Sequence, residues 1–168
     1  MNSPEPLETP PELVGNGEIH AVHYRSRKPI CVTWENGIIT RLSESLNQGD
    51  AIDWVAPPLF DLQVNGFAGI DFQQDDLSLE SLLVATRQLR KAACTRYCFT
   101  LISDHWEILI GRVRNVMRLR GQSAELSLAI AGFHIEGPFL SPEPGFRGAH
   151  DATVMCDPNP AQVEELRA

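Results

Sequence analysis

From Pro58 onward the chain alternates short β-rich runs with longer amphipathic ones, and that alternation restricts the fold more than any other feature. Leu59 to Asn65 reads as a strand ending at Gly66. Leu77 to Ala93 carries Leu77, Leu82, Leu83, Val84, Leu89 and Ala92 at mixed i+3/i+4 spacing, which predicts a helix, with Asp75 and Asp76 at its positive end. Tyr97 to Ile102 is a second strand, and Trp106 to Arg120 a second helix stopped by Gly121. Leu126 to Ile135 is almost wholly apolar, as strands buried on both faces are, and is expected as a third strand. After a Pro/Gly-rich loop, Pro160 to Arg167 begins another helix. Strands and helices in this order imply βα repetition and a parallel sheet. A small three-stranded α/β domain and the opening of a (β/α)₈ barrel both fit. A closed barrel takes about 250 residues, more than the 168 present.

The segment before Pro57-Pro58 follows a different period. Glu18 to Tyr24, Pro29 to Trp34 and Ile38 to Leu42 are β-rich, and Asn36-Gly37 between the last two is a strong hairpin signal, because both residues tolerate positive φ. Asn16-Gly17 is expected to turn the chain into the first strand. The expected organisation is a disordered Pro/Glu-rich leader over 1–14, a small antiparallel β segment over 15–56, and three βα units over 57–168.

Composition narrows the function classes. Twenty-two acidic against 14 basic residues give a formal charge of -8, which argues against nucleic acid and anionic membranes as partners. No apolar run approaches the ~18–20 residues of a membrane span, and Met1 to Pro11 lacks the pattern of a secretory signal. Cys31, Cys94, Cys98 and Cys156 form no C-x-x-C pair and read as reduced, cytoplasmic thiols, with Cys94 and Cys98 in the core. Arg112, Arg114, Arg118 and Arg120 are expected on a solvated helix face rather than in a phosphate patch.

Chemistry is expected at the C-terminal ends of the strands, where parallel α/β folds gather their ligands. A period of two puts Asp61, Gln63 and Asn65 on one face of the first strand, opposite Leu62 and Val64. On a buried strand those polar groups require partners, a ligand or a metal-bound water. Asn65-Gly66 closing a turn, with Gln63 a satisfied amide, is the structural alternative. On the third strand His134 and Glu136 share a face. Glu136, at the strand's last position, is a candidate ligand for zinc or iron or, alternatively, a salt-bridged strand end. His134 fits a packed or supporting role better than a ligand. Gly145 to His150 offers a flexible loop with an arginine and a histidine, the kind of segment that contacts substrates.

Two motifs give these residues a family. Pro58-Leu59-Phe60-Asp61-Leu62-Gln63-Val64-Asn65-Gly66, followed by Gly69-Ile70-Asp71-Phe72, and His134-Ile135-Glu136-Gly137-Pro138-Phe139-Leu140, followed by Gly148-Ala149-His150, resemble the N-acetylglucosamine-6-phosphate deacetylases of the amidohydrolase superfamily. The resemblance implies that 57–168 is the first part of a metal-dependent hydrolase barrel, preceded by a small β-sandwich segment. It implies hydrolysis of the acetamide of N-acetylglucosamine 6-phosphate to glucosamine 6-phosphate and acetate, with one divalent metal, zinc or iron, activating water. Glu136 matches the family's glutamate metal ligand, and Ala149 and His150 match its substrate loop. Gln63 and Asn65 stand where many amidohydrolases carry His-x-His, which favours one metal over two. The remaining ligands, two histidines, and the general acid/base aspartate are expected beyond Ala168. The metal is then incompletely liganded, and the chain alone is expected to be inactive. The alternatives are a non-catalytic sugar-phosphate-binding module and a half-barrel that associates with itself or with a complementary C-terminal half.

Overall fold

The structure is a computed structural model that describes residues 15–45 and 53–167. The expected leader over 1–14 lies outside the described residues. The chain divides between Pro57 and Pro58 into two compact units.

The first unit is a four-stranded sheet of β1 (Gly17–His23), β2 (Pro29–Glu35), β3 (Ile38–Glu44) and β4 (Trp54–Val55), in the order β3-β2-β1-β4. The β2–β3 hairpin turns at Asn36 and Gly37, whose φ values of 51° and 76° are the two positive values that a tight two-residue turn requires. Asn16 does not make a turn of its own. Its side-chain oxygen accepts the Asn36 amide at 3.2 Å, tying the start of β1 to the hairpin. β4 runs parallel to β1, pairing Val22 with Trp54 and His23 with Val55, so the segment is mixed rather than wholly antiparallel. Ala21 and Val32 are buried. The described residues of this segment form a single sheet.

The second unit is α/β. Its parallel sheet has the order β5-β8-β9, from β5 (Leu59–Val64), β8 (Cys94–Ile102) and β9 (Ile130–Glu136). Between β5 and β8 lie the small hairpin of β6 (Gly66–Phe67) and β7 (Ile70–Asp71), then α1 (Leu79–Lys91). α2 (Trp106–Gly121) and α3 (Ala124–Ala129) join β8 to β9, and α4 (Pro160–Arg167) follows a long loop. β8 is central, and its Tyr97, Phe99 and Leu101 are fully enclosed with Phe72, Leu82, Leu109, Leu126 and Ile130. Phe72 stacks on Phe99 with centroids 4.4 Å apart, which pins the end of the β6–β7 hairpin to the core.

Three sequence expectations change here. The run from Leu126 is not all strand: Ser123 caps a short helix, its hydroxyl accepting the Leu126 amide at 3.3 Å, and the strand begins only at Ile130. Leu126 and Ala129 are buried while Leu128 is exposed, an i,i+3 pattern that a mainly apolar run conceals. Helix α1 starts at Leu79 behind a Ser78 cap, not at Leu77, which belongs to the core of the approach. The α2 arginines are not a simple solvated face. Arg112 is largely enclosed and clamps Asp75 at 2.7 Å and Asp104 at 2.8 Å, and Arg114 holds Glu165 at 2.8 Å. Cys94 is buried and Cys98 half-buried, and both are free thiols. Among the described residues no helix is long and apolar enough to cross a membrane.

Candidate functional site

β5 is an edge strand, and only Val64 of its residues is buried. The expected face of Asp61, Gln63 and Asn65 on a buried strand therefore does not exist. The ladder with β8 pairs Asp61 with Tyr97 and Val64 with Phe99, three steps against two, which is a bulge. Asp61 makes the bulge locally, its carboxylate accepting the Gln63 amide at 2.9 Å. An extra residue breaks the alternation that a period of two assumes, and the three side chains separate. Asp61 stays with its own backbone, Asn65 is exposed at the turn with its carbonyl accepting the Phe72 amide at 3.2 Å, and Gln63 is re-aimed across the sheet.

Gln63 reaches Glu136. Its Nε2 donates to Oε2 of the carboxylate at 2.6 Å, passing over the intervening β8. The other carboxylate oxygen, Oε1, meets Nε2 of His150 at 3.2 Å. The three residues come from β5, the end of β9 and the loop after it, and gather at the C-terminal edge of the parallel sheet. His134, two residues before Glu136, places Nδ1 3.2 Å from the backbone oxygen of Leu62. It ties β9 to the bulge. Ala149 is exposed on the loop beside His150.

The loop after β9 is held by a sharp exit. Gly137 has φ +96° and its peptide with Pro138 is cis. A Cβ at position 137 would collide with the Ser103 hydroxyl, so this position has room only for glycine. That hydroxyl donates to the Glu136 carbonyl at 3.2 Å, fixing the backbone beneath the carboxylate. Ser103 is a residue the sequence reading missed, and its place in a short Ser-Asp-His stretch gives no periodic signal. Farther along, turns at Glu143 and Arg147 lead to His150, whose Nδ1 is enclosed with no partner among the described residues. Asp151 caps a 3₁₀ turn over Ala152–Val154, and the Thr153 amide holds its carboxyl below the usual range.

Chemically, the cluster offers one carboxylate and one imidazole, with a carboxamide orienting the carboxylate. Among the described residues no three His, Cys, Asp or Glu side chains gather in a way that could hold a metal ion. Catalytic zinc takes three protein ligands, so this donor set does not by itself fit the metal that the motifs imply. The arrangement can present an oriented carboxylate and a hydrogen-bonding imidazole to a ligand at the sheet edge.

No protein-family model matches the chain. Among curated proteins, it is 36% identical over 98 residues to the human N-acetylglucosamine-6-phosphate deacetylase, covering 57% of this chain and 23% of that relative. The Haemophilus influenzae enzyme of the same name is 30% identical over 106 residues, covering 63% of this chain and 26% of the relative. Among solved structures, an N-acetyl-D-glucosamine-6-phosphate deacetylase from Mycobacterium smegmatis, in complex with N-acetyl-D-glucosamine-6-phosphate, superposes with a TM-score of 0.72 at 21% identity over 90% of this chain and 40% of its own. The Thermotoga maritima N-acetylglucosamine-6-phosphate deacetylase gives 0.72 at 18% identity, covering 89% of this chain and 39% of its own. The resemblance carried by the two motifs thus holds along more than half of this chain in sequence and most of it in fold, and the chain is similar to a part of the N-acetylglucosamine-6-phosphate deacetylases, spanning about a quarter of the curated relatives' length.

Proposed function

We propose that this chain is one portion of an N-acetylglucosamine-6-phosphate deacetylase, contributing the opening βα units of a (β/α)₈ barrel to a site completed by residues it does not contain. The Gln63–Glu136–His150 cluster at the C-terminal sheet edge supports the reading, because that is where barrel hydrolases place their chemistry. In an assembled site Glu136 would supply one ligand of a single divalent metal, zinc or iron, and Gln63 would orient its carboxylate. His150 and Ala149 contact the sugar phosphate, while Asn65 and His134 shape and brace the surroundings. Such a metal, if bound there, would acidify water and polarise the acetamide carbonyl. The reaction yields acetate and glucosamine 6-phosphate, in a reducing, cytoplasmic setting, with the other ligands and the general acid/base aspartate supplied from outside this sequence.

Acetate release from N-acetylglucosamine 6-phosphate tests the proposal. The purified 168-residue chain with added zinc or iron should be inactive. Mixing it with a separately produced protein carrying the complementary barrel strands should restore activity, and Glu136→Gln should abolish the restored activity. Turnover by the chain alone would overturn the divided site, and failure of complementation would overturn the deacetylase reading. The exposed apolar edge of β5, with Leu59, Phe60 and Leu62 all more than half exposed, favours a second reading: a non-catalytic module that associates with another half-barrel or binds the sugar phosphate without hydrolysing it. Binding without acetate release in the complemented mixture would select it.

A further inference from the structure

Gln73 follows the β6–β7 hairpin and belongs to no helix or strand, yet its side chain completes the sheet. Its Nε2 donates to the carbonyl of Thr100 at 3.0 Å, and its Oε1 accepts the amide of Ile102 at 3.1 Å. A carbonyl of residue i and an amide of residue i+2 are the two groups that one residue of a neighbouring parallel strand would bond. The last β5–β8 pair is Val64 with Phe99, so β5 has already left when the chain reaches Thr100. Thr100 is fully enclosed, and a buried carbonyl without a partner is costly. The carboxamide of Gln73 takes the place of the missing strand peptide.

That substitution links both halves of the candidate site. Ile102, bonded by Gln73, is the register partner of Glu136 on β9, and the next residue, Ser103, donates to the Glu136 carbonyl. In the other direction Phe72, just before Gln73, donates its amide to the carbonyl of Asn65, two residues from Gln63. Gln63 then closes the circuit at Glu136, at 2.6 Å. The path Gln73–Ile102–Glu136–Gln63–Asn65–Phe72–Gln73 is closed, and Gln73 is its one side-chain link between the loop after β5 and the end of β8. Asp71 preorganises the residue by accepting the Gln73 amide at 2.9 Å.

We infer that Gln73 is a positioning residue of the proposed site, setting the separation of Gln63 and Glu136 by splinting the end of β8 to the loop that follows β5. The inference deepens the reading of Gln63 and Glu136 as parts of one site and assigns no chemistry to Gln73 itself. The test uses the whole 168-residue chain, with Gln73→Met as a near-isosteric variant without hydrogen bonds, Gln73→Ala as a second, and Thr86→Val as a control whose own bonds, to Leu82 and Tyr97, are not part of the path. Backbone amide exchange at Ile102 and the NMR signal of the Gln63 side-chain amide are followed. In both Gln73 variants Ile102 should exchange at least about tenfold faster, the loss of roughly one hydrogen bond's net worth. The Gln63 amide signal should move toward that of a free carboxamide. Thr86→Val should lower stability and move neither. Unchanged Ile102 protection, an unchanged Gln63 signal, an equal shift in Thr86→Val, or global unfolding of both Gln73 variants would each overturn a positioning role. Neither readout involves metal, sugar or acetate, so its failure is distinguishable from failure of the deacetylase reading.

Discussion

At the scale of single residues, burial decides what polar groups do. Burial pushes the Tyr97 phenol from its ordinary 10.0 up to about 12, against the opposing hydrogen bond with Thr86 and with a smaller contribution from Cys94. The unfolded chain therefore loses this proton first. Stability should be complete below pH 10 and fall as the pH rises towards 12, by up to about 2–3 kcal/mol. Urea melts across that range should show the fall, and Tyr97→Phe should remove this contribution to it. At neutral pH the same variant should cost only about 1 kcal/mol, since the Thr86 hydroxyl keeps its 2.8 Å bond to the Leu82 carbonyl. Gly137→Ala belongs to the same scale and is more severe. It combines φ +96° with a collision against Ser103, and a melting curve should show a loss of at least about 1–2 kcal/mol.

At the scale of elements, ends matter more than interiors. Helix α1 leaves through Ala92 into Ala93, which holds φ 65° and passes its carbonyl to the Leu59 amide at 2.9 Å. Position 93 is where helices usually place glycine, so Ala93→Gly should stabilise the protein by about 0.5–1 kcal/mol in thermal or urea melts. Ser123→Ala should destabilise by about 1 kcal/mol through loss of the α3 cap. Strands β1, β2, β3, β5 and β8, helices α1, α2 and α4, and the Asn36-Gly37 turn are legible in the sequence because each rests on local periodicity or local φ requirements, whereas the two-residue strands β4, β6 and β7 are too short to show a period. The α3–β9 boundary was hidden, since Leu126 to Ile130 is apolar but for Ser127 and the surrounding core selects helix. The β5 bulge was hidden as well. Asp61 bonds the Gln63 amide only where the neighbouring strand allows two residues to be matched by three.

For the whole second unit, the consequence is a parallel sheet with an exposed edge. Leu59, Phe60 and Leu62 are 61%, 53% and 63% exposed on β5, and an apolar strand edge is a template for pairing. The chain should self-associate with rising concentration, and Leu62→Lys should weaken that association without lowering the melting temperature. Sedimentation velocity across a concentration series checks the first statement and calorimetry the second. Equal association by the variant would place the contact elsewhere. The candidate site is also a property of the whole unit: Gln63 and Glu136 are 73 positions apart and meet only because β5 and β9 flank β8.

Local residue pattern sets the alternation of strand and helix after Pro58, the hairpin at Asn36-Gly37, and the two motifs that carry the resemblance to the deacetylases. These follow from side-chain period, turn stereochemistry and local residue identity, which require no knowledge of distant neighbours. Packing between distant segments selects which polar residues form a group. It left Asp61 and Asn65 outside it, turned His134 to the β5 backbone, and brought Gln63 and His150 onto Glu136. It also made Gln73 a stand-in for a strand. The physical reason is that a bulge, a strand edge and an enclosed carbonyl are relations between segments far apart in the chain, and no local pattern encodes them.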